Sequence, residues 1–129
     1  MARPSQLTNP VRLRPRIKVW LETDGRYAFG FGLSEILRAV EKHGSIKQAA
    51  SSLGKSYRYI WGRLKEAERA LGQKLVKTHV GGKGLQRSFL TPAAQKLVKD
   101  FLAVRRRIMK VADQEFRQRF GASSRIRSA

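Results

Sequence analysis

Residues 45–72 read SIKQAASSLGKSYRYIWGRLKEAERALG, and this stretch decides the fold. Ser45 opens S-I-K-Q, which is the spacing of a capping box, and Ser56 is a second residue of the type that caps helix N-termini. Apolar residues recur at helical spacing behind each serine, and the two runs stop at Gly54 and Gly72. The stretch therefore predicts two helices joined by a very short turn.

The chain before this stretch predicts another helix and a hairpin. An apolar stripe from Leu33 to Val40 stops at His43-Gly44, as a helix with a glycine cap would. Apolar and polar residues alternate over 16–22, which predicts a strand. Thr23-Asp24-Gly25-Arg26 has turn composition, and residues 27–31 are expected to return as a second strand.

The chain after it predicts a second hairpin and one long helix. Strands are expected over 73–80 and 85–90, on either side of Gly81-Gly82-Lys83-Gly84. Thr91-Pro92 is a strong helix start, and no helix breaker follows before about Phe120. At 1.5 Å per residue the helix spans roughly 40 Å, longer than a small domain can cover. Its far half is therefore expected to pack on a second copy, through an apolar stripe of Leu97, Phe101, Val104, Ile108 and Val111.

These elements together predict a mainly α fold with small β hairpins, a winged helix-turn-helix with a long C-terminal dimerisation helix. The predicted organisation is a flexible basic arm over 1–15, the winged domain over 16–91, the dimerisation helix over 92–120 and a disordered basic tail over 121–129.

Charge points to an anionic partner. Lys and Arg number 28 against 9 Asp and Glu, which gives a formal net charge of +19. Nucleic acid phosphate explains such an excess best, whereas a merely solvated basic surface is the plainer alternative. The chain has no apolar run long enough for a signal peptide or a membrane helix, so a cytoplasmic, nucleoid-associated protein is expected.

Catalysis and metal binding have no support in the sequence. Cysteine is absent, and the two histidines, His43 and His79, lack carboxylate neighbours at ligand spacing. We therefore predict neither an enzyme nor a cofactor or metal site.

The second helix of the 45–72 stretch is expected to enter the major groove of duplex DNA, because that groove admits one α-helix. Arg58 is the first candidate for a base contact, since a guanidinium can grip guanine with two hydrogen bonds, and a contact to phosphate alone is the alternative. The full set of candidate DNA-binding residues is Ser45, Lys47, Gln48, Lys55, Ser56, Tyr57, Arg58, Trp61, Arg63, Lys65, Gly82, Lys83 and Arg87.

Several of these residues have a structural interpretation as well. Trp61 and Tyr57 either touch DNA or support the domain core, and Ser45 and Gln48 either meet phosphates or only cap their helix. The glycine-rich turn with Lys83 and Arg87 is either a DNA-contacting wing or a plain flexible hairpin.

The ordered set of these motifs resembles a known family. The sequence is similar to the DNA-binding domain of the molybdate-responsive ModE regulators. The similarity lies in Gly44-Ser45-Ile46 with Ala49-Ala50, then Ser56-Tyr57-Arg58 with Trp61, then Gly81 to Gly84, and finally Leu90-Thr91. The spacing from Ser56 to Gly72 also resembles the recognition helix of LysR-type proteins. The resemblance covers residues 16–115 and implies a homodimer that binds a palindromic operator. ModE proteins of full length continue into an oxyanion-binding region, whereas this chain ends at Ala129, so molybdate sensing is not expected to carry over.

Two functions therefore compete. One is a sequence-specific bacterial transcription regulator, and the other is an architectural protein that coats any DNA through counterion release. An RNA-binding role has less support, because the chain lacks an RNP-type aromatic strand and a GXXG loop between helices.

Overall fold

A computed structural model describes residues 12–82 and 86–121. It contains four helices and two antiparallel hairpins in the described residues, so the predicted fold class is confirmed. In chain order the elements are β1 (Trp20–Thr23), β2 (Arg26–Gly30), α1 (Phe31–His43), α2 (Ile46–Ser52), α3 (Tyr57–Leu71), β3 (Val76–Val80), β4 (Gln86–Leu90) and α4 (Pro92–Phe120).

The helix ends follow the predicted caps. Ser45 Oγ accepts from the amide of Gln48 at 3.0 Å, and Ser56 Oγ accepts from the amide of Tyr59 at 3.0 Å. Thr91 Oγ1 accepts from the amide of Ala94 at 3.1 Å, and the same hydroxyl donates to the carbonyl of Lys74 at 2.8 Å. Each such cap stabilises its helix by about 1 kcal/mol, so the boundaries are set locally.

Two strands begin later than the sequence predicts. The alternation from residue 16 predicts a strand, but β1 starts at Trp20, which pairs with Gly30 at the end of β2. Likewise β3 starts at Val76, whose partner Leu90 is the last residue of β4. A strand needs a hydrogen-bonded neighbour, and in both hairpins the partner strand runs into a helix at that point.

The core lies between the first three helices, both hairpins and the start of α4. Phe29 meets Phe101 edge to face, with ring centroids 5.3 Å apart at 79°. The remaining large core residues are Leu33, Ile36, Leu37, Val40, Ile60, Leu64, Leu75, Leu90 and Val98. The start of α4 thus belongs to the winged domain, whereas the sequence assigned all of residues 92–120 to dimerisation.

The chain divides into two compact units. Residues 19–102 form the winged unit described above. The described part of the other unit comprises residues 12–18 and 103–121. There the Asp113–Arg117 ion pair (3.1 Å) and the stacked rings of Phe116 and Phe120 (4.5 Å) support the last turns of α4. Residues 12–15 have no regular structure, and most of the predicted basic arm and tail lies outside the described residues.

Candidate nucleic-acid interface

The first turn of α3 presents its side chains to solvent. The turn after α2 is closed by hydrogen bonds from the amides of Gly54 and Lys55 back to Ser51 and Ala50. The helix that follows then buries Ile60, Leu64 and Ala67 against the core. Its opposite face, which begins at the exposed Arg58, is free of contacts with the core. This is the geometry that places a recognition helix in a DNA groove.

Aromatic rings flank Arg58 on the same helix. Tyr57, Tyr59 and Trp61 are 52%, 48% and 45% exposed, and none of them is among the residues that pack on the described core cluster. This exposure favours DNA contact by Tyr57 and Trp61, which stays a prediction. Large exposed rings carry a free-energy cost in water unless a partner covers them, which suits a surface that binds something else.

Cations lie over two of these rings. Lys55 Nζ is 5.4 Å from the centroid of Tyr59, and Lys65 Nζ is 5.4 Å from that of Trp61. Lys65 also reaches Glu68, with Nζ 3.4 Å from Oε1. Both lysines consequently lie against α3, and each adds positive charge beside an aromatic surface.

Arg63 lies on a different flank of α3 from Arg58. Its guanidinium carbon is 5.5 Å from the ring centroid of Tyr27 in β2, and the residue is half-buried. It lines an open groove of about 740 Å³ between the first hairpin and α3, together with Arg26, Glu66 and Arg69. The sequence grouped Arg63 with the exposed face, but the structure assigns it to the contact with the hairpin.

A half-buried glycine lies on the side of α3 that is turned away from the core. Gly62 lies inside the helix, and a Cβ placed there would meet no atom within 4 Å. Its backbone is ordinary right-handed helix, since Gly62 is absent from the positive-φ residues of the described chain. Glycine in a helix interior costs about 0.5–1 kcal/mol relative to alanine, so neither local conformation nor internal packing accounts for it.

The start of α2 carries three predicted contact residues. Ser45 is half-buried and caps the helix, so its structural role is confirmed. Lys47 and Gln48 are exposed on the first turn and point away from the buried pair Ala49 and Ala50. Ser56, at the start of α3, is likewise an exposed cap. Capping consumes one lone-pair site of each serine and leaves the hydroxyl proton available.

The second hairpin is tied to the helix-turn-helix. The amide of Ser88 in β4 donates to the carbonyl of Gly44 at 2.8 Å, in the turn between α1 and α2. Arg87 lies over the same turn, because a Cβ on Gly44 would be 3.4 Å from Arg87 Nη2. Of the predicted wing tip, Gly82 is exposed, and Lys83 lies outside the described residues. The hairpin therefore places Arg87 beside the start of α2.

Glu68 joins α3 to the base of this hairpin. Its Oε2 accepts from the amides of Leu75 (2.8 Å) and Val76 (3.3 Å), where β3 begins. Burial opposes ionisation of the carboxyl, but these two amides and Lys65 outweigh burial and lower the pKa of Glu68. A single ionised side chain thereby fixes the hairpin against α3.

The predicted dimer stripe on α4 divides into two groups. Phe101 is 2% exposed and Leu97 packs on the core of the winged unit, so these two residues stabilise their own domain. Val104, Ile108 and Val111 are 52%, 39% and 47% exposed. Their spacing places them on one face of the helix. Apolar residues recur every three or four positions along the whole of α4. This periodicity alone does not distinguish residues that contact the core from residues that form an exposed stripe.

Comparison with known proteins identifies the winged unit. A family model for bacterial regulatory helix-turn-helix proteins of the LysR family matches residues 32–95. Residues 32–95 form a LysR-type helix-turn-helix domain. The resemblance drawn from the sequence is thereby confirmed, and the first hairpin (residues 20–30) lies outside the matched part of the LysR-type domain.

The chain has relatives among molybdenum-related proteins. It is 39% identical over 72 residues to the molybdenum transport protein ModE of Herbaspirillum seropedicae, covering 56% of this chain and 27% of that protein. It is 32% identical over 76 residues to the molybdenum-pterin-binding protein MopB of Rhodobacter capsulatus, covering 59% of this chain and 28% of that protein. The chain thus spans less than a third of the length of these relatives.

A solved structure is similar in fold to this chain. Full-length CbnR complexed with its target DNA superposes with a TM-score of 0.52 at 21% identity, covering 69% of this chain and 29% of that one.

None of the helices in the described part of the chain is long and apolar enough to cross a membrane.

Sequence reasoning missed three residues on or beside α3. Tyr59 is exposed beside Arg58. Its exposure could have been predicted, because Tyr59 does not fall on the apolar face of the predicted helix. Gly62 could have been noticed as a helix breaker within a strong helical pattern. Tyr27 gave no signal, because its contact with Arg63 joins residues far apart in sequence.

Proposed function

We propose that this protein is a bacterial transcription regulator that binds duplex DNA as a homodimer. The observation that carries the proposal is the exposed face of α3, where Arg58 is flanked by three exposed aromatic rings directly after a tight turn. A face with this composition suits base edges and phosphates better than it suits water.

Within this proposal α3 occupies the major groove and Arg58 contacts a base, because residues in the first turns of a recognition helix reach base edges. Lys47 and Gln48 on α2 face the DNA backbone. Arg87 and the wing tip at Gly82 approach a neighbouring backbone segment or the minor groove. The hydrogen bond from Ser88 to Gly44 supports this arrangement, because it ties the wing to the turn that precedes α2.

The homodimer rests on α4. Val104, Ile108 and Val111 form an exposed apolar stripe that a second copy of α4 would cover. Two recognition helices related by a twofold axis read half-sites about one helical turn apart, or a multiple of it. A monomer at micromolar concentration by light scattering would remove the basis for a palindromic site.

Selection from a random duplex library tests the function. At about 150–200 mM salt, non-specific attraction is weakened, so only sequence-dependent contacts enrich particular duplexes. Recovery of an inverted repeat supports the dimeric regulator. Absence of any motif, with binding retained, contradicts it.

A non-specific architectural role is the second candidate, and the net charge of +19 favours it. Counterion release then dominates binding, so every duplex binds with similar affinity and a steep dependence on salt. A large affinity ratio between selected and random duplexes excludes this role.

A further inference from the structure

We infer that Gly62 is a notch in α3 that lets DNA approach the helix backbone, and that this close approach contributes to the choice of DNA sequence. The inference rests on the proposed function and adds to it a specificity-determining position that has no side chain of its own.

Gly62 has no structural explanation among residues 12–82 and 86–121. It has no left-handed conformation to accommodate, and a Cβ would meet no atom within 4 Å. By contrast, Gly44 and Gly72 cap helices with φ of 69° and 67°. Alanine at position 62 would fit the fold and form a better helix. Neither the backbone conformation nor a contact within the described residues therefore explains the glycine.

The position of Gly62 on α3 follows from helix spacing. Residues three and four apart are neighbours on a helix surface, so Gly62 lies between Arg58 and Tyr59 on one side and Lys65 and Glu66 on the other. Ile60 and Leu64 face the core, which places Gly62 on the side of α3 turned away from it. It thus lies on the same exposed face as Arg58.

Of the four neighbouring side chains, that of Lys65 is held away from the notch. Lys65 Nζ lies 3.4 Å from Glu68 Oε1 and 5.4 Å from the Trp61 ring, on the flank towards β3. The Cα of Gly62 is therefore a low point between larger side chains. A protruding group on the floor of the major groove, such as a thymine methyl, fits a concave point of this kind.

The variant Gly62→Ala distinguishes a role of Gly62 in DNA binding from a role in stabilising the fold. Replacing glycine in an accommodating helix raises the melting temperature, by roughly 2–6 °C for a domain of this size. The added methyl fills the notch, so we expect the dissociation constant for the selected duplex to rise about tenfold or more. Affinity for an unrelated duplex should change less than about threefold, because its dominant phosphate contacts are untouched.

Gly32→Ala is the matched control. Gly32 is exposed in the first turn of α1, and a Cβ there also meets no atom within 4 Å. It should leave both DNA affinities unchanged. Fluorescence anisotropy with labelled duplexes and thermal unfolding by circular dichroism measure all of these quantities.

The outcomes are distinct. A more stable Gly62→Ala variant with weaker binding to the selected duplex alone supports the notch. If Gly62→Ala binds the selected duplex within about twofold of the unaltered protein, the notch is overturned and the proposed function stands. A fall in the melting temperature of Gly62→Ala also overturns the notch and leaves the proposed function standing, because it would reveal a structural need for glycine. Failure of the unaltered protein to bind any duplex overturns the proposed function, and the inference falls with it.

Discussion

Arg58 and Arg63 are on the same helix but have different surroundings. Arg58 is exposed at the first turn, whereas Arg63 rests against Tyr27 with its Nε buried and without a hydrogen-bond partner in the described residues. Arginine near DNA has two uses, since it can read guanine or neutralise phosphate. Within the proposed function, the exposed Arg58 suits the first use.

We predict that Arg58→Ala relaxes base preference. Loss of a bidentate base contact costs about 1–3 kcal/mol, so affinity for the selected duplex should fall about tenfold to a hundredfold. Affinity for an unrelated duplex should fall only slightly. Anisotropy titrations on both duplexes measure the ratio. Equal losses on the two would assign Arg58 to a phosphate contact.

Arg87 should behave in the opposite way. Its position over the turn at Gly44 suits a backbone contact, so Arg87→Ala should weaken binding to all duplexes about equally. The slope of log affinity against log salt should become shallower by about 0.9, the value for one lost phosphate contact. Lys83→Ala is expected from the sequence to act likewise. A changed base preference in Arg87→Ala would instead indicate reading of the minor groove.

At the scale of elements, the junction of α3 and β3 includes one ionised side chain that accepts two backbone hydrogen bonds. Glu68 accepts from two amides at the start of β3, and these bonds are strongest while its carboxyl is charged. Because the pKa of Glu68 is lowered on folding, its contribution is present above the unfolded pKa and is lost as pH falls through the folded value. Acid should therefore loosen the hairpin from α3.

Glu68→Gln tests this junction. We expect the free energy of unfolding at pH 7 to fall by about 1–2 kcal/mol, because a neutral amide accepts these bonds less strongly. The difference from the unaltered protein should shrink as pH drops below about 4, near the usual glutamate pKa. Urea denaturation at several pH values measures it, and the exposed Glu66→Gln is the control. A difference that does not vary with pH would mean that the charge of Glu68 is unimportant.

Elements were predictable from the sequence where their signals are local. The caps at Ser45, Ser56 and Thr91 depend on residues three positions away, and all three appear as predicted. Strand starts at residues 16 and 73 were wrong, because the length of a strand depends on its partner. The surroundings of Arg63 and Phe101 also depend on distant residues, Tyr27 and Phe29, that no local pattern specifies.

At the scale of the whole molecule, the proposed dimer determines how tightly a palindromic site is held. Linking two recognition helices makes the second binding event intramolecular, which multiplies affinity without new contacts. The exposed stripe of Val104, Ile108 and Val111 is the surface on which this linkage depends.

Ile108→Asp should break the linkage. A carboxylate at an apolar interface must be desolvated without a partner, so the dimer should dissociate at about 10 µM or below. Affinity for the inverted repeat should fall about tenfold to a hundredfold, with less change for a single half-site. Light scattering and anisotropy measure the two effects. Arg106→Gln is the control, because it makes the same change in net charge at an exposed position on the opposite side of α4. A dimer that persists in Ile108→Asp would place the interface elsewhere.

The exposed ring of Trp61 has a practical consequence for optical work. The chain holds two tryptophans, and the other, Trp20, is in the first hairpin, where its indole donates to Glu22 at 3.0 Å. Replacing Trp20 with phenylalanine would leave a single indole, on the face of α3 proposed to enter the groove. Its emission would then change when a base or a phosphate displaces the water around it. The recognition helix therefore carries an intrinsic fluorophore, and binding could be followed in real time on unlabelled protein and unlabelled DNA.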